Sequence, residues 1–203
     1  MKVILSGYEG SKQILSASSY LLKKYLKGFD VYFLNYGDYT GKLHTGTYVS
    51  LADKQENGAG QWSTDIREYL ETLTNDYIIF GLDDYLLTGF DKKLYDSIDL
   101  IGVDCVKLCA EANLDKTYSC TTQYTIWKRD LLIEILRQVR TPWQFEDFGS
   151  PILNKMFKTI IHVPCLQYPS NSCLSTKWSG VRLEGNEHDK DEIEKCLKQA
   201  ENI

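Results

Sequence analysis

The 203-residue chain reads as a single α/β domain of three layers, with helices on both faces of a mostly parallel central sheet. Three observations predict this. The chain opens on an apolar run, a helical pattern and a second apolar run. Apolar segments of strand length then keep alternating with amphipathic segments of helix length. The apolar runs also lack polar alternation, as strands covered on both faces do. A chain of this length has ample material for one core. With 43% hydrophobic and 25% charged residues, disorder and a membrane span are both disfavoured. A net charge of -5 argues against a nucleic-acid binder held mainly through phosphates.

Lys2-Val3-Ile4-Leu5-Ser6-Gly7 predicts a buried strand running into a glycine turn. Ile14, Leu15, Ala17, Leu21, Leu22, Tyr25 and Leu26 then recur at helical spacing, with Ser11 as the start and Gly28 at the C-cap position. A second strand over 29–35 completes a β-α-β unit, which implies a right-handed crossover. Gly7 does not open a GxGxxG pattern and no GxxxxGK[ST] occurs, so neither a dinucleotide fingerprint nor a P-loop is expected. Residues 35–60 read as a long loop or loose edge hairpin whose short apolar stretch is Tyr48 to Leu51. Ser63 or Thr64 then caps a helix that buries Ile66, Tyr69, Leu70 and Leu73.

Tyr77 to Leu82 is the central strand, and it ends in Asp83-Asp84. In open α/β sheets, ligands bind at the carboxyl ends of strands. Adjacent carboxylates repel, so both stay ionised only beside a cation or hydrogen-bond donors. A Mg²⁺-like ion that also grips phosphate meets that need. A solvated Asp-Asp turn would look the same in sequence.

Beyond the pair, Leu86, Phe90, Leu94, Tyr95 and Ile98 predict a short helix, and Leu100 to Val106 a strand. Residues 119–127 alternate like a half-buried strand, and 128–139 form an amphipathic helix stopping near Thr141-Pro142. Trp143-Gln144-Phe145-Glu146-Asp147-Phe148-Gly149 embeds two acids among aromatics, which would exclude water and favour a carboxyl acting as general base. A carboxylate in a first helical turn, with core aromatics around it, is the plainer alternative. A helix over 152–157, a last strand over 159–163, an irregular stretch over 165–187 with a Lys177-Trp178-Ser179-Gly180 binding loop, and a charged helix over 189–201 complete the chain. Six cysteines without a CxxC pair, and no signal peptide, predict reduced thiols in a cytoplasmic protein, the host cytoplasm if the source is viral.

Taken together, the strand ending in Asp-Asp, the later Tyr-x-Ile-Trp strand and the Trp-x-Phe-Glu island resemble GT-A-fold glycosyltransferases, Rossmann-related enzymes, and above all the compact forms of phages and bacterial polysaccharide clusters. The resemblance spans roughly Val3 to Trp178. It implies a nucleotide-binding half over 1–82, a metal and acceptor half over 83–180 and a helical cap over 181–203. It places the nucleotide against Ser6, Gly7, Tyr8, Asn35 and Tyr36, with further contacts at Trp62 and Ser63. Asp83 would face the ribose or metal-bound water, and Asp84 would ligate Mn²⁺ or Mg²⁺ on the diphosphate of a UDP-sugar donor. Glu146, or Asp147 beside it, would be the base for an unknown acceptor's hydroxyl, with inversion the favoured outcome. Lys177 would add positive charge as its loop closes. Many members take a third metal ligand from a C-terminal histidine, but His162 and His188 sit in no such motif and His44 has no argued role. Two rival readings remain: a non-catalytic nucleotide- or carbohydrate-binding module, and an Asp-dependent phosphotransferase. The second is weakened because Lys2 to Gly10 contains no Asp.

Overall fold

The computed structural model describes residues 1–52, 58–109, 119–156, 158–169, 173–174, 181–183 and 185–200. Its centre is one eight-stranded sheet in the order β3-β2-β1-β4-β7-β6-β8-β5. The strands are β1 (Lys2–Ser6), β2 (Asp30–Asn35), β3 (Thr47–Ser50), β4 (Tyr77–Leu82), β5 (Gly89–Phe90), β6 (Cys105–Cys109), β7 (Thr125–Lys128) and β8 (Ile160–Gln167). β1 to β4 are mutually parallel, β7 runs against both β4 and β6, and β8 is again parallel to β6.

The strands are apolar throughout because each face has its own core. Val3, Leu5 and Ile79 point into one cluster, Ile4, Ile78 and Phe80 into the other. The first face is covered by α1 (Leu15–Tyr25) and α7 (Lys190–Ala200), which pack on each other. Over the second lie α2 (Trp62–Glu71), α4 (Arg129–Leu136), α5 (Pro142–Asp147) and α6 (Gly149–Lys155). The three layers predicted from sequence are therefore present. No helix among the described residues is long and apolar enough to cross a membrane.

Several local expectations change. Ser11 does not open a helix; it sits within a 3₁₀ turn (Glu9–Ile14) that precedes α1. α2 starts at Trp62 with Gln61 at the N-cap, and the Ser63 hydroxyl donates instead to the Val139 carbonyl at 2.6 Å. Within 35–60, the described residues hold β3, which joins as a parallel edge strand with Tyr32 opposite Thr47 and not as one arm of a hairpin. Phe90 belongs to β5 and the helix shrinks to α3 (Lys92–Asp96), capped by Asp91, whose carboxylate accepts from Leu94 N at 2.9 Å. Residues 100–104 turn before β6 begins, aided by a positive φ of 71° at Gly102. The 119–127 alternation misleads, since only Thr125–Lys128 is strand and both sets of side chains are mostly buried. β8 outruns its predicted end at 163 and passes through Pro164, where the pairing with β6 shifts register between Lys107 and Cys109. An irregularity of that kind is where a sheet tolerates proline.

Candidate active site

β1, β2 and β4 end level with one another: Ser6 pairs with both Leu34 and Leu82. The residues that follow therefore meet at one sheet edge. Asp83 N donates to Ser6 O at 3.0 Å and Gly7 N to Leu34 O at 2.9 Å. Asp83 is 1% exposed and Asp84 6%. Asp83 Oδ2 lies 2.7 Å from Ser11 Oγ, which also accepts from Asn35 Nδ2 at 3.0 Å and from Tyr8 N at 3.2 Å. The one Ser11 hydroxyl proton has two acceptors in reach, Asp83 Oδ2 and Tyr8 O at 2.9 Å. Asn35 Oδ1 in turn accepts from Tyr36 N at 2.8 Å. Burial, then repulsion from Asp84, raises the Asp83 carboxyl well above the usual carboxylate range, and the Ser11 bond only partly offsets this.

Gly7 is there for space. A Cβ on it would stand 2.1 Å from Asp83 Oδ2, 2.5 Å from Ser11 Oγ and 2.6 Å from Asn35 Nδ2. Ser11 is the site residue that sequence reasoning missed as such; its signal, a small polar side chain four residues after a strand-ending glycine, is also that of a helix start.

The other residues predicted to hold a nucleotide divide into two groups. Tyr8 is exposed beside the carboxylate pair, and burial, Asp84 and Asp83 together raise its phenol. Tyr36, Trp62 and Ser63 are buried with their polar atoms engaged: Tyr36 donates to Asp65 Oδ2 at 2.8 Å and Trp62 Nε1 to Ser6 Oγ at 2.7 Å. They shape the wall behind the edge. Tyr48, not singled out beforehand, donates to the carbonyls of Tyr36 and Gly37. Burial, then Asp38, Asp83 and Glu9, push its phenol up to about 12. Lys177 lies outside the described residues.

The second island reaches the same edge. Phe145 is fully buried, its ring 5.9 Å from Trp62, 6.3 Å from Phe80 and 5.8 Å from Trp127. This fixes α5 and points Glu146 at the approach to β7. Glu146 Oε1 accepts from Thr122 N at 2.8 Å and Thr122 Oγ1 at 2.7 Å. Thr122 O accepts from Leu82 N at 2.9 Å, one residue before Asp83. The Tyr85 phenol is raised by burial first, then by the charges of Glu146 and Asp84. Both islands thus face one phenol. The expectation that aromatics shield the two acids from water needs correction: Trp143 is 65% exposed, Phe148 60%, and Asp147 is also on the surface. A helix of six residues that buries Phe145 must turn its neighbours outward.

A divalent cation fits this edge only in company. Asp83 and Asp84 are hard oxygen donors whose mutual repulsion it would relieve, but among the described residues no group of three His, Cys, Asp or Glu side chains could hold it. The remaining positions would fall to phosphate oxygens and water, the usual pattern for Mg²⁺. No histidine joins the pair. His162 Nε2 is 2.5 Å from Cys109 O within the sheet, His188 is exposed, and His44 lies between Tyr20 and Cys196 Sγ.

No family model matches the sequence, and no curated protein does. Solved structures do. The glycosyltransferase GlyE of Streptococcus pneumoniae TIGR4 superposes with a TM-score of 0.55 at 12% identity over 97% of this chain and 62% of GlyE, so this chain spans under two thirds of that protein's length. The galactosyltransferase LgtC, solved with donor and acceptor sugar analogues, gives 0.58 at 10% identity over 98% of this chain and 95% of LgtC. A cytidylyltransferase of Leptospira borgpetersenii gives 0.52 at 14% identity over 98% and 96% of the two chains. Similarity at this level of identity is similarity of fold, and the fold this chain carries is the GT-A type of the glycosyltransferases.

Proposed function

We propose that the protein is a glycosyltransferase that moves a sugar from a UDP-sugar to an acceptor hydroxyl, assisted by Mn²⁺ or Mg²⁺. The observation that carries this is the linkage of Glu146 to the Asp83-Asp84 edge through Thr122 and Leu82. It supports Glu146 as the base in this reading, close to an edge where Asp83 and Asp84 would invite a phosphate-bound cation. When bound, the cation supplies charge neutralisation on the departing diphosphate. Asp84 and Asp83 would hold it, Tyr8 would offer its exposed ring to the nucleoside, and Glu146 would take the acceptor's proton. The acceptor oxygen then bonds to the anomeric carbon as the bond to the UDP oxygen breaks, and UDP leaves with its electron pair. Attack opposite the leaving group inverts the anomeric centre. Lys177 is assigned the part of a further positive charge on UDP. General-base help of this kind contributes about 10²–10⁴ in rate.

A phosphotransferase that uses Asp83 as nucleophile fits poorly, because that carboxylate is buried and bonded to Ser11. Nucleotidyl transfer is the reading the cytidylyltransferase likeness keeps in play. Calorimetry with UDP and Mn²⁺ tests the site: the wild type binds UDP, and EDTA or Asp84→Ala abolishes binding. Equal binding in all three samples would end the proposal. Products then separate the chemistries, UDP release marking sugar transfer and pyrophosphate release marking nucleotidyl transfer.

A further inference from the structure

We propose that Ser11 is a positioning residue that sets which cation the acidic edge accepts. It ties up one oxygen of Asp83, so that this carboxylate meets a divalent cation through Oδ1 alone, and Mn²⁺ or Mg²⁺ is thereby favoured over Ca²⁺. This rests on the cation-assisted donor reading above. The observation behind it is how closely Asp83 Oδ2 is walled in. Ser11 Oγ stands 2.7 Å from it. The place a Gly7 Cβ would take is 2.1 Å from Asp83 Oδ2, 2.5 Å from Ser11 Oγ and 2.6 Å from Asn35 Nδ2. Ser11 and Asn35 are fully buried and Asp83 nearly so. A cation coming from that side would meet the Gly7 backbone and the N–H donors of Asn35.

Ser11 is itself held in place. Its Oγ accepts from Asn35 Nδ2 at 3.0 Å and from Tyr8 N at 3.2 Å, which uses both lone pairs and leaves it only a proton to offer Asp83. The rival acceptor for that proton, the Tyr8 carbonyl, already takes the Ser11 backbone N–H at 2.9 Å. Once a cation holds Asp83 ionised, the carboxylate is both the nearer and the stronger acceptor. The bond then fixes how the carboxylate is turned. Ca²⁺ collects roughly six to eight oxygens and readily takes both from one carboxylate, whereas Mg²⁺ keeps near-ideal octahedral geometry with much of its shell left to phosphate and water. Mn²⁺ shares that octahedral habit. Withholding Oδ2 removes a ligand from Ca²⁺ and none from the smaller ions.

Electron paramagnetic resonance titration of the full chain with Mn²⁺, in the presence of UDP and with Ca²⁺ as competitor, tests this. Ser11→Ala is expected to weaken Mn²⁺ binding about ten-fold or more, as removal of a group that orients a ligating carboxylate does. Ca²⁺ should lose less, so the preference for Mn²⁺ falls. Ser11→Cys refills the space with a much weaker donor and is expected to follow Ser11→Ala. The preference is a ratio of two affinities, so partial unfolding of a variant does not move it. The proposal falls if Ser11→Ala leaves that ratio unchanged, whether both affinities hold or drop together, or if Ser11→Cys matches the wild type. A wild type that takes up no Mn²⁺ with UDP overturns the donor reading and this proposal with it. A wild type that binds Mn²⁺, with the same preference in both variants, overturns this proposal alone.

Discussion

Gly7 shows how tightly three side chains are drawn together at the end of β1. The Ser11, Asn35 and Asp83 groups occupy the volume where any other residue's Cβ would stand. Gly7→Ala is expected to destabilise the fold by about 1–3 kcal/mol, as overpacking does, and to weaken UDP binding; urea unfolding and calorimetry check both. Asp83 carries the opposite sign. Its folded-state carboxyl holds a proton more tightly than the ordinary value of 3.8. The folded protein therefore binds more protons than the unfolded chain above that pH. Stability from this group is present below about 3.8 and is lost as pH rises towards the raised value. Asp83→Asn is expected to stabilise the ligand-free protein at pH 7 by roughly 1 kcal/mol, a gain that shrinks towards pH 4, and to abolish cation-dependent UDP binding. Melting curves across pH decide it, and a variant less stable at pH 7 refutes it.

At the level of elements, the antiparallel β7 is what joins the two acidic islands. It brings the chain ahead of Thr125 alongside the end of β4, where Thr122 bonds Leu82 on one side and Glu146 on the other. Thr122→Val removes the hydroxyl bond but keeps the backbone one. The lost bond to a charged group contributes about 1.5–3 kcal/mol, so kcat is expected to fall ten-fold or more with UDP affinity unchanged. Steady-state kinetics separates this from a general loss of fold. Local pattern was enough to find β1, β2, β4 and the helices around them, because both-face burial leaves continuous apolar runs. It singled out Asp83, Asp84 and Glu146 as candidates because acids amid apolar residues stand out. Ser119 to Tyr124 misled for a physical reason: irregular backbone buried on both sides can alternate in sequence as a strand does. Trp143 and Phe148 were misread because hydrophobic composition does not reveal which way a short helix turns. The parallel placement of β3 was hidden, as pairing partners are set by topology and not by composition.

Across the molecule, polar contacts tie the start of α7 to α1 and α7 itself to the loop ahead of β3. Asp189 accepts from Lys24 and, at 3.1 Å, from the Tyr25 hydroxyl, and Cys196 Sγ meets His44 Nε2 at 3.4 Å. Lys24 is 42% exposed, so solvent screening holds the expected loss for Asp189→Asn to about 1 kcal/mol in urea unfolding.

All six cysteines are unbridged and buried, Cys105 and Cys120 under the α2 side of the sheet and Cys165, Cys173 and Cys196 under the α1 side. A colourless thiol reagent such as iodoacetamide therefore has nothing to alkylate until a layer lifts. Mass spectrometry of the alkylated peptides would give a built-in clock for each half of the molecule, timing when either side opens without any engineered cysteine.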